Sequence, residues 1–384
     1  MATNQNGKFT KKQYGYFGRM KKIILIIIGI GIFFTVVFIF GNKTSPMGKA
    51  VNSLKKCKNK DEVHTIWITN SNLQTSVFFE KEIRNKLSKL NLSNEDLSDC
   101  LTWLPPAPTS LNLIVVPDLS RRILDEVNNP DQIKNDTVIL NHIWNAFEMH
   151  SIIDRATQKR KINSKDRLII DVTDEGQAIG QFRTLANDLI FDLSFVPNGQ
   201  NSEDYLKNRH PLFTEKIGKM YELAAKKPVG GDYWNYFRQN LSKHIQKSTL
   251  FDNYRNVLII ITDGYLEAEH KLYTGDWKTR SAVADRIKSG NSIEETVLNR
   301  IKIPDIAQKF PTLEVLILEV NERRQFSLQE PKDKGTTEDY DILMVLWRDW
   351  FRQMQIKNAD GNFFIHRNDA TLLTKNVIDN FLNK

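Results

Sequence analysis

One apolar, β-branched run that stops on an acid narrows the folds open to this chain: Leu111-Asn-Leu-Ile-Val-Val-Pro117, followed by Asp118-Leu-Ser120-Arg-Arg122. Such a run reads as a strand covered on both faces, because a solvated face would call for polar residues at alternate positions. Asp118 and Ser120 therefore stand at the strand's carboxyl end. In open parallel sheets ligands and ions collect at that edge, where strand ends and helix starts leave a crevice of polar groups. The run Asn256-Val-Leu-Ile-Ile-Ile-Thr-Asp-Gly264 repeats the pattern and sets Asp263 at its own end.

Further β-rich runs at Arg167–Val172, Leu189–Val196, Leu313–Val320 and Asn362–His366 alternate with helical sequence. Ser120–Val127 opens a helix, and Asp136–Arg160 carries apolar residues at helical spacing. Tyr205–Lys227 is helical with an interruption at Pro211, and Asp232–Ile245, Asp339–Ile356 and Ala370–Leu382 complete the set. Strands alternating with helices imply an α/β fold, a mostly parallel doubly wound sheet of Rossmann-like type over residues 111–384. Pro105, Pro106 and Pro108 can neither continue a helix nor join a central strand, so the domain begins just after them. Residues 42–110 read as a basic juxtamembrane and connecting segment, with one helix around Phe78–Leu90 in its part from 61 onward.

Ahead of it, residues 1–22 form a basic tail leading into the uninterrupted apolar segment Ile23–Phe40. As a helix at about 1.5 Å per residue it reaches about 27 Å, enough for a bilayer core. No small-x-small cleavage site follows, so residues 23–41 are expected to be an uncleaved, single-pass transmembrane helix. The nearer basic residues precede it, which favours a cytoplasmic amino terminus and an extracytoplasmic soluble domain.

The net charge of +8 is unevenly spread. Residues 1–60 hold twelve Lys or Arg and no acid, leaving 42 basic against 46 acidic residues in the remainder. That remainder is mildly acidic, and a nucleic-acid partner is not expected. Cys57 and Cys100 are too few for a zinc cluster or a disulfide framework, and whether they pair stays open.

Three acids end structural elements at similar depth: Asp118, Asp263, and Asp232 after the turn Gly230-Gly231. If the sheet reverses its winding between the two long strands, Asp118 and Asp263 become neighbours across the crevice with the glycine loop above them. Gathered carboxylates repel, and Mg²⁺ is suited to relieve this because it needs few protein oxygens. These residues resemble the von Willebrand factor type A family and its metal-ion-dependent adhesion site. That family carries Asp-x-Ser-x-Ser after its first strand, a Thr in a middle loop and an Asp, often in Thr-Asp-Gly, after its fourth. Asp118, Ser120 and Asp263 match. Arg122 stands in place of the second Ser, and Asp232 near the place of the Thr.

The resemblance implies a membrane-anchored module that binds another protein, with Asp118, Ser120, Asp232 and Asp263 around a Mg²⁺ ion. Arg122 is instead a cation that cannot ligate one and can enter the acidic cluster itself. Three carboxylates on one divalent ion would leave a net negative site, more structural than adhesive. The loops around 174–180 and 265–280, with Tyr265, Tyr273 and Trp277, would shape the partner surface, although such aromatics suit a core equally well. Plainer readings stand beside these: Asp118 and Asp232 as helix caps, a dead-site scaffold with Arg122 paired to the acids, or a metal-dependent phosphohydrolase drawing on Asp171, Asp174 and Glu175. No Walker motif, Gly-x-Ser-x-Gly elbow or Cys-His pairing accompanies the last.

Overall fold

The computed structural model describes residues 45–383 except 108, 127–130, 155–158, 162–163, 174–179, 198–199, 229–230, 269–270, 322–338, 362–364 and 368–370. The expected membrane span 23–41 lies outside the described residues, as do Asp174, Glu175 and Gly230. No helix among the described residues is long and apolar enough to cross a membrane. The chain divides into two compact units, Met1–Ala107 with Thr249–Phe251, and Pro108–Ser248 with Asp252–Lys384.

In the first unit the expectation of a connecting segment with one helix is corrected. Its described residues hold four α-helices: α1 (Pro46–Lys56), α2 (Lys60–Thr69), α3 (Val77–Leu87) and α4 (Asn94–Trp103). Each starts at a side-chain cap, Ser45, Asn59, Ser76 and Ser93, the last in a reciprocal capping box with Asp96. Phe79, Ile83 and Leu87 recur every four residues along α3 and bury against Leu54, Val63, Trp67, Cys100 and Leu250. That shared face, contributed a few residues at a time, makes a core of what reads as a polar linker. Cys57 and Cys100 are both buried and free, so they do not pair.

The second unit holds a six-stranded sheet among the described residues. Its strands are β1 (Thr109–Pro117), β2 (Arg167–Ile170), β3 (Ile190–Asp192), β4 (Asn253–Ile261), β5 (Leu313–Val320) and β6 (Ile365–Arg367). They lie in the order β6-β5-β4-β1-β2-β3, parallel except for β3, which runs antiparallel along β2. Winding reverses at β1, as the sequence suggests. β1 and β4 pair over nine positions, from Thr109 opposite Asn253 to Pro117 opposite Ile261, so both strands end level.

Side chains alternate between two cores, as a sheet covered on both faces requires. Leu113, Val115, Val257, Ile259 and Ile261 face one core. It is completed by helices α5 (Gln132–Ile152), α6 (Gln181–Asp188), α7 (Ser202–Lys226) and, at the carboxyl end of the chain, Thr371–Leu382. Ile114, Val116, Leu258 and Ile260 face the other, covered by α8 (Trp277–Lys288), α9 (Ile293–Leu298), α10 (Asp339–Gln353) and the turns over Tyr233–Lys243.

Several elements depart from the sequence reading. The helix expected over Asp136–Arg160 starts at Gln132 and stops at Ile152, where Ile153–Asp154 turns to pair with Lys159–Arg160. Pro211 does not interrupt α7, because Leu206, Phe213 and Ile217 on either side are buried in one core and hold the helix through the lost hydrogen bond. The third strand keeps only Ile190–Asp192 of Leu189–Val196, since Asp192 accepts the Ser194 N–H and starts a 3₁₀ turn. The helix expected over Asp232–Ile245 is three short turns of different pitch.

Candidate functional site

Because β1 and β4 end in register, Asp118 lands beside Thr262, with Asp263 next in line. The Asp118 N–H donates to the Ile261 carbonyl at 2.8 Å, extending the ladder by one bond beyond Pro117. Asp118 is 2% exposed and Asp263 wholly buried. The Asp118 carboxylate accepts from the Ser120 N–H at 2.9 Å through Oδ1 and from the Thr262 hydroxyl at 2.8 Å through Oδ2. Ser120, half-buried, caps the 3₁₀ turn Arg121–Leu124, its Oγ accepting from the Arg122 N–H.

That short turn, in place of the helix expected from Ser120, swings Arg122 back under the strand ends. Its guanidinium is buried. Nε donates to the Asp118 carbonyl at 3.2 Å and stands 3.6 Å from Asp118 Oδ2. Nη2 donates to Asp136 Oδ2 at 2.6 Å and to the Ile261 carbonyl at 3.1 Å. Asp136, fully buried on the first turns of α5, also accepts from Gln132 Nε2 at 2.6 Å and from the Tyr221 hydroxyl of α7 at 2.8 Å. Burial alone would lower the Arg122 pKa; the charges of Asp136, then Asp118, with a smaller share from Asp263, outweigh it and hold the guanidinium charged. Burial, with Asp136 alongside, raises Tyr221 well above the usual phenol range, so it stays a donor.

Of the expected glycine loop, Gly231 lies against Asp118. Gly231 sits at φ +93°, its N–H donates to Thr173 Oγ1 at 2.9 Å, and a Cβ built on it would stand 3.0 Å from Asp118 Oδ1. Asp232 takes the capping role, accepting from the Asn235 N–H at 2.9 Å and the Asn235 side-chain amide at 2.6 Å. Asp171 is tied instead to His244 Nε2 at 2.7 Å, Arg183 Nη1 at 3.1 Å and the Tyr236 hydroxyl at 3.2 Å. Of the two readings open for Tyr265 and Tyr273, interface or core, the structure has core: both are buried beneath α10. Tyr265 donates to Asp339 and stacks under the Arg280 guanidinium, which fixes the loop from below. The loop 174–179 and the Trp277 side chain lie outside the described residues.

Asp136, Gln132, Tyr221, Thr173 and Thr262 are site residues that sequence reasoning missed. Thr262 carried a signal, since it alternates in phase with the buried strand and precedes Asp263. Asp136 carried one too, as an acid inside an otherwise apolar helical face four residues from Gln132.

A divalent ion is poorly matched to this donor set. Both Asp118 oxygens already accept hydrogen bonds, Asp232 holds Asn235, and a guanidinium stands where it would repel a cation and cannot ligate one. Among the described residues no group of three or more His, Cys, Asp or Glu is placed to hold a metal ion.

These features define an α/β protein with a mostly parallel sheet and a buried, arginine-filled acidic cluster at its carboxyl edge. No protein-family model matches the chain, and no curated protein matches it. Among solved structures it is similar to an aerotolerance-related membrane protein from Bacteroides fragilis NCTC 9343, determined with multiple mutations to serines. That likeness has 12% identity and a TM-score of 0.31, covering 71% of this chain and 98% of the other. At that distance it carries nothing across to this chain.

Proposed function

We propose that this protein is a membrane-anchored module of the von Willebrand A type that binds another protein at the carboxyl edge of its sheet, with no catalytic role. The observation that carries the reading is the burial of the strand-end acids. Asp118 at 2% exposure and Asp263 at none favour this reading over a phosphohydrolase, which needs an accessible nucleophile. The strand order, with one antiparallel edge strand and reversal at β1, is consistent with that fold. The rim above the acids offers macromolecular contact: Leu124, on the turn that carries Arg122, is 46% exposed. Residues 23–41 supply the anchor, and the apolar length of Ile23–Phe40 with its cationic flank supports that role.

The test places a photo-crosslinking residue at Leu124 or Glu267 on the carboxyl edge, and at Lys165 at the opposite end of the sheet, in the full chain in its native membranes. Discrete protein adducts from Leu124 and Glu267 but not from Lys165 are the expected result. Equal labelling from all three, or none from the carboxyl edge, contradicts the reading. Purified chain that hydrolyses a generic phosphate ester, with loss of turnover in Asp118→Asn, would establish the enzyme instead.

A further inference from the structure

We infer that Arg122 is a built-in cation: its guanidinium supplies the positive charge that a divalent ion supplies in sites of this pattern, so the carboxyl edge is closed permanently and without metal. The inference deepens the reading above and rests on its placing of the site. The geometry carries it in three ways. First, the residue stands where the pattern Asp118-x-Ser120-x would call for a second hydroxyl, and the short turn Arg121–Leu124 returns its side chain beneath the ends of β1 and β4. Second, the guanidinium stands 3.6 Å from Asp118, with Asp263 within electrostatic reach, and is held there by Asp136, an acid outside the pattern, at 2.6 Å.

Third, hydrogen bonding alone is a poor account of the residue. Nη1 finds no acceptor among the described residues, although it is buried, and Gln132 Oε1 close by finds no donor. A side chain placed for its donors would use all of its fork. One placed for its charge is served by Nε and Nη2, because the acids lie on that side. The Gly231 loop then packs directly on Asp118, its absent Cβ leaving room for that approach. Engagement of a partner at this edge therefore needs no divalent ion and offers no open ion to a partner's carboxylate.

The test uses the purified full chain in detergent, melted with millimolar Mg²⁺, Mn²⁺ or EDTA. For the wild type the midpoint is expected to be the same in all three, and a rise with either ion overturns the inference. Arg122→Ser restores the hydroxyl of the pattern and is expected to melt lower in EDTA and to recover on addition of Mn²⁺ or Mg²⁺; a folded Arg122→Ser protein indifferent to both overturns it. Should that variant fail to fold, Arg122→Lys against Arg122→Gln decides. The lysine variant, which keeps the charge, is expected to be the more stable and ion-indifferent, and a lysine variant no better than the glutamine one overturns the inference. An ion-indifferent wild type that makes no crosslinks at the carboxyl edge would refute the binding role and leave the built-in cation standing. An ion-dependent wild type that crosslinks there would do the reverse.

Discussion

Asp136 accepts bonds from Arg122, Gln132 and Tyr221, so removing its carboxylate takes the nearer counter-charge from a buried guanidinium and leaves two other buried donors without their acceptor. Breaking a buried pair from one side costs about 3–5 kcal/mol, and Asp136→Ala is expected to lower the denaturant midpoint accordingly. Arg352 makes contacts of similar length to Glu294 and Asp360 on the surface. Its alanine variant should stay within about 1 kcal/mol of wild type, because solvent and salt screen such pairs. Gly231 gives a second residue-scale contrast. Its φ of +93° strains any other residue, and a methyl there would meet Asp118 Oδ1 at 3.0 Å, whereas Gly290 at φ +91° has nothing within 4 Å. Gly290→Ala should therefore cost only the backbone term, about 1 kcal/mol. Gly231→Ala should cost more than that, measured as the difference between their denaturation midpoints.

Between elements, β1 is fixed at both ends by buried acids. At its amino end Asp166 accepts the Leu111 N–H at 2.7 Å and pairs with His150 at 3.0 Å and Lys161 at 3.2 Å. Burial pushes the Asp166 carboxyl up, but the His150 hydrogen bond, the charges of His150 and Lys161 and the Leu111 N–H bring it below the usual range. Asp171, past the end of β2, is lowered in the same sense, its burial outweighed by His244 and then by the Val172 backbone and Arg183. Folded values below the unfolded value of about 3.9 mean that this stabilisation is complete above that pH and fades as pH falls through the folded values. Denaturant midpoints should accordingly drop on acidification from pH 5 to pH 3, and less steeply in Asp166→Asn. An unchanged slope in that variant would show that Asp166 is not part of the acid response.

The sequence made β1, β4 and β5 legible because buried strands of six or more β-branched and apolar residues have few other readings. It also carried the placing of Asp118 and Asp263 at the ends of neighbouring strands, since both acids end such runs. What it hid is of two kinds. The helices of the first unit carry their apolar residues sparsely among lysines and acids, so their common core at Phe79, Ile83 and Trp67 emerges only when four short helices share it. The Arg122–Asp136 pair spans fourteen residues and depends on a 3₁₀ turn where an α-helix is the simpler expectation. Tyr265 and Tyr273 stayed ambiguous because aromatics suit interfaces and cores alike, and the stack of Tyr265 under Arg280 is a tertiary contact.

For the molecule as a whole, the chain divides into two units of different architecture, each with its own buried apolar residues, and its sequence carries an apolar segment near the amino terminus. If residues 23–41 anchor the chain, the full protein should remain with membranes through alkaline extraction, and a chain lacking residues 1–44 should be released. An extractable full chain would remove the anchor from the account. The account turns, however, on the acids at the carboxyl edge being neutralised from within. Manganese paramagnetic resonance reads this without reference to stability: free Mn²⁺ gives a six-line signal that weakens on binding to protein. Titrating the full chain should leave that signal at its protein-free amplitude, while stoichiometric loss of amplitude that Asp118→Asn abolishes would show that an ion, and not Arg122, completes the site.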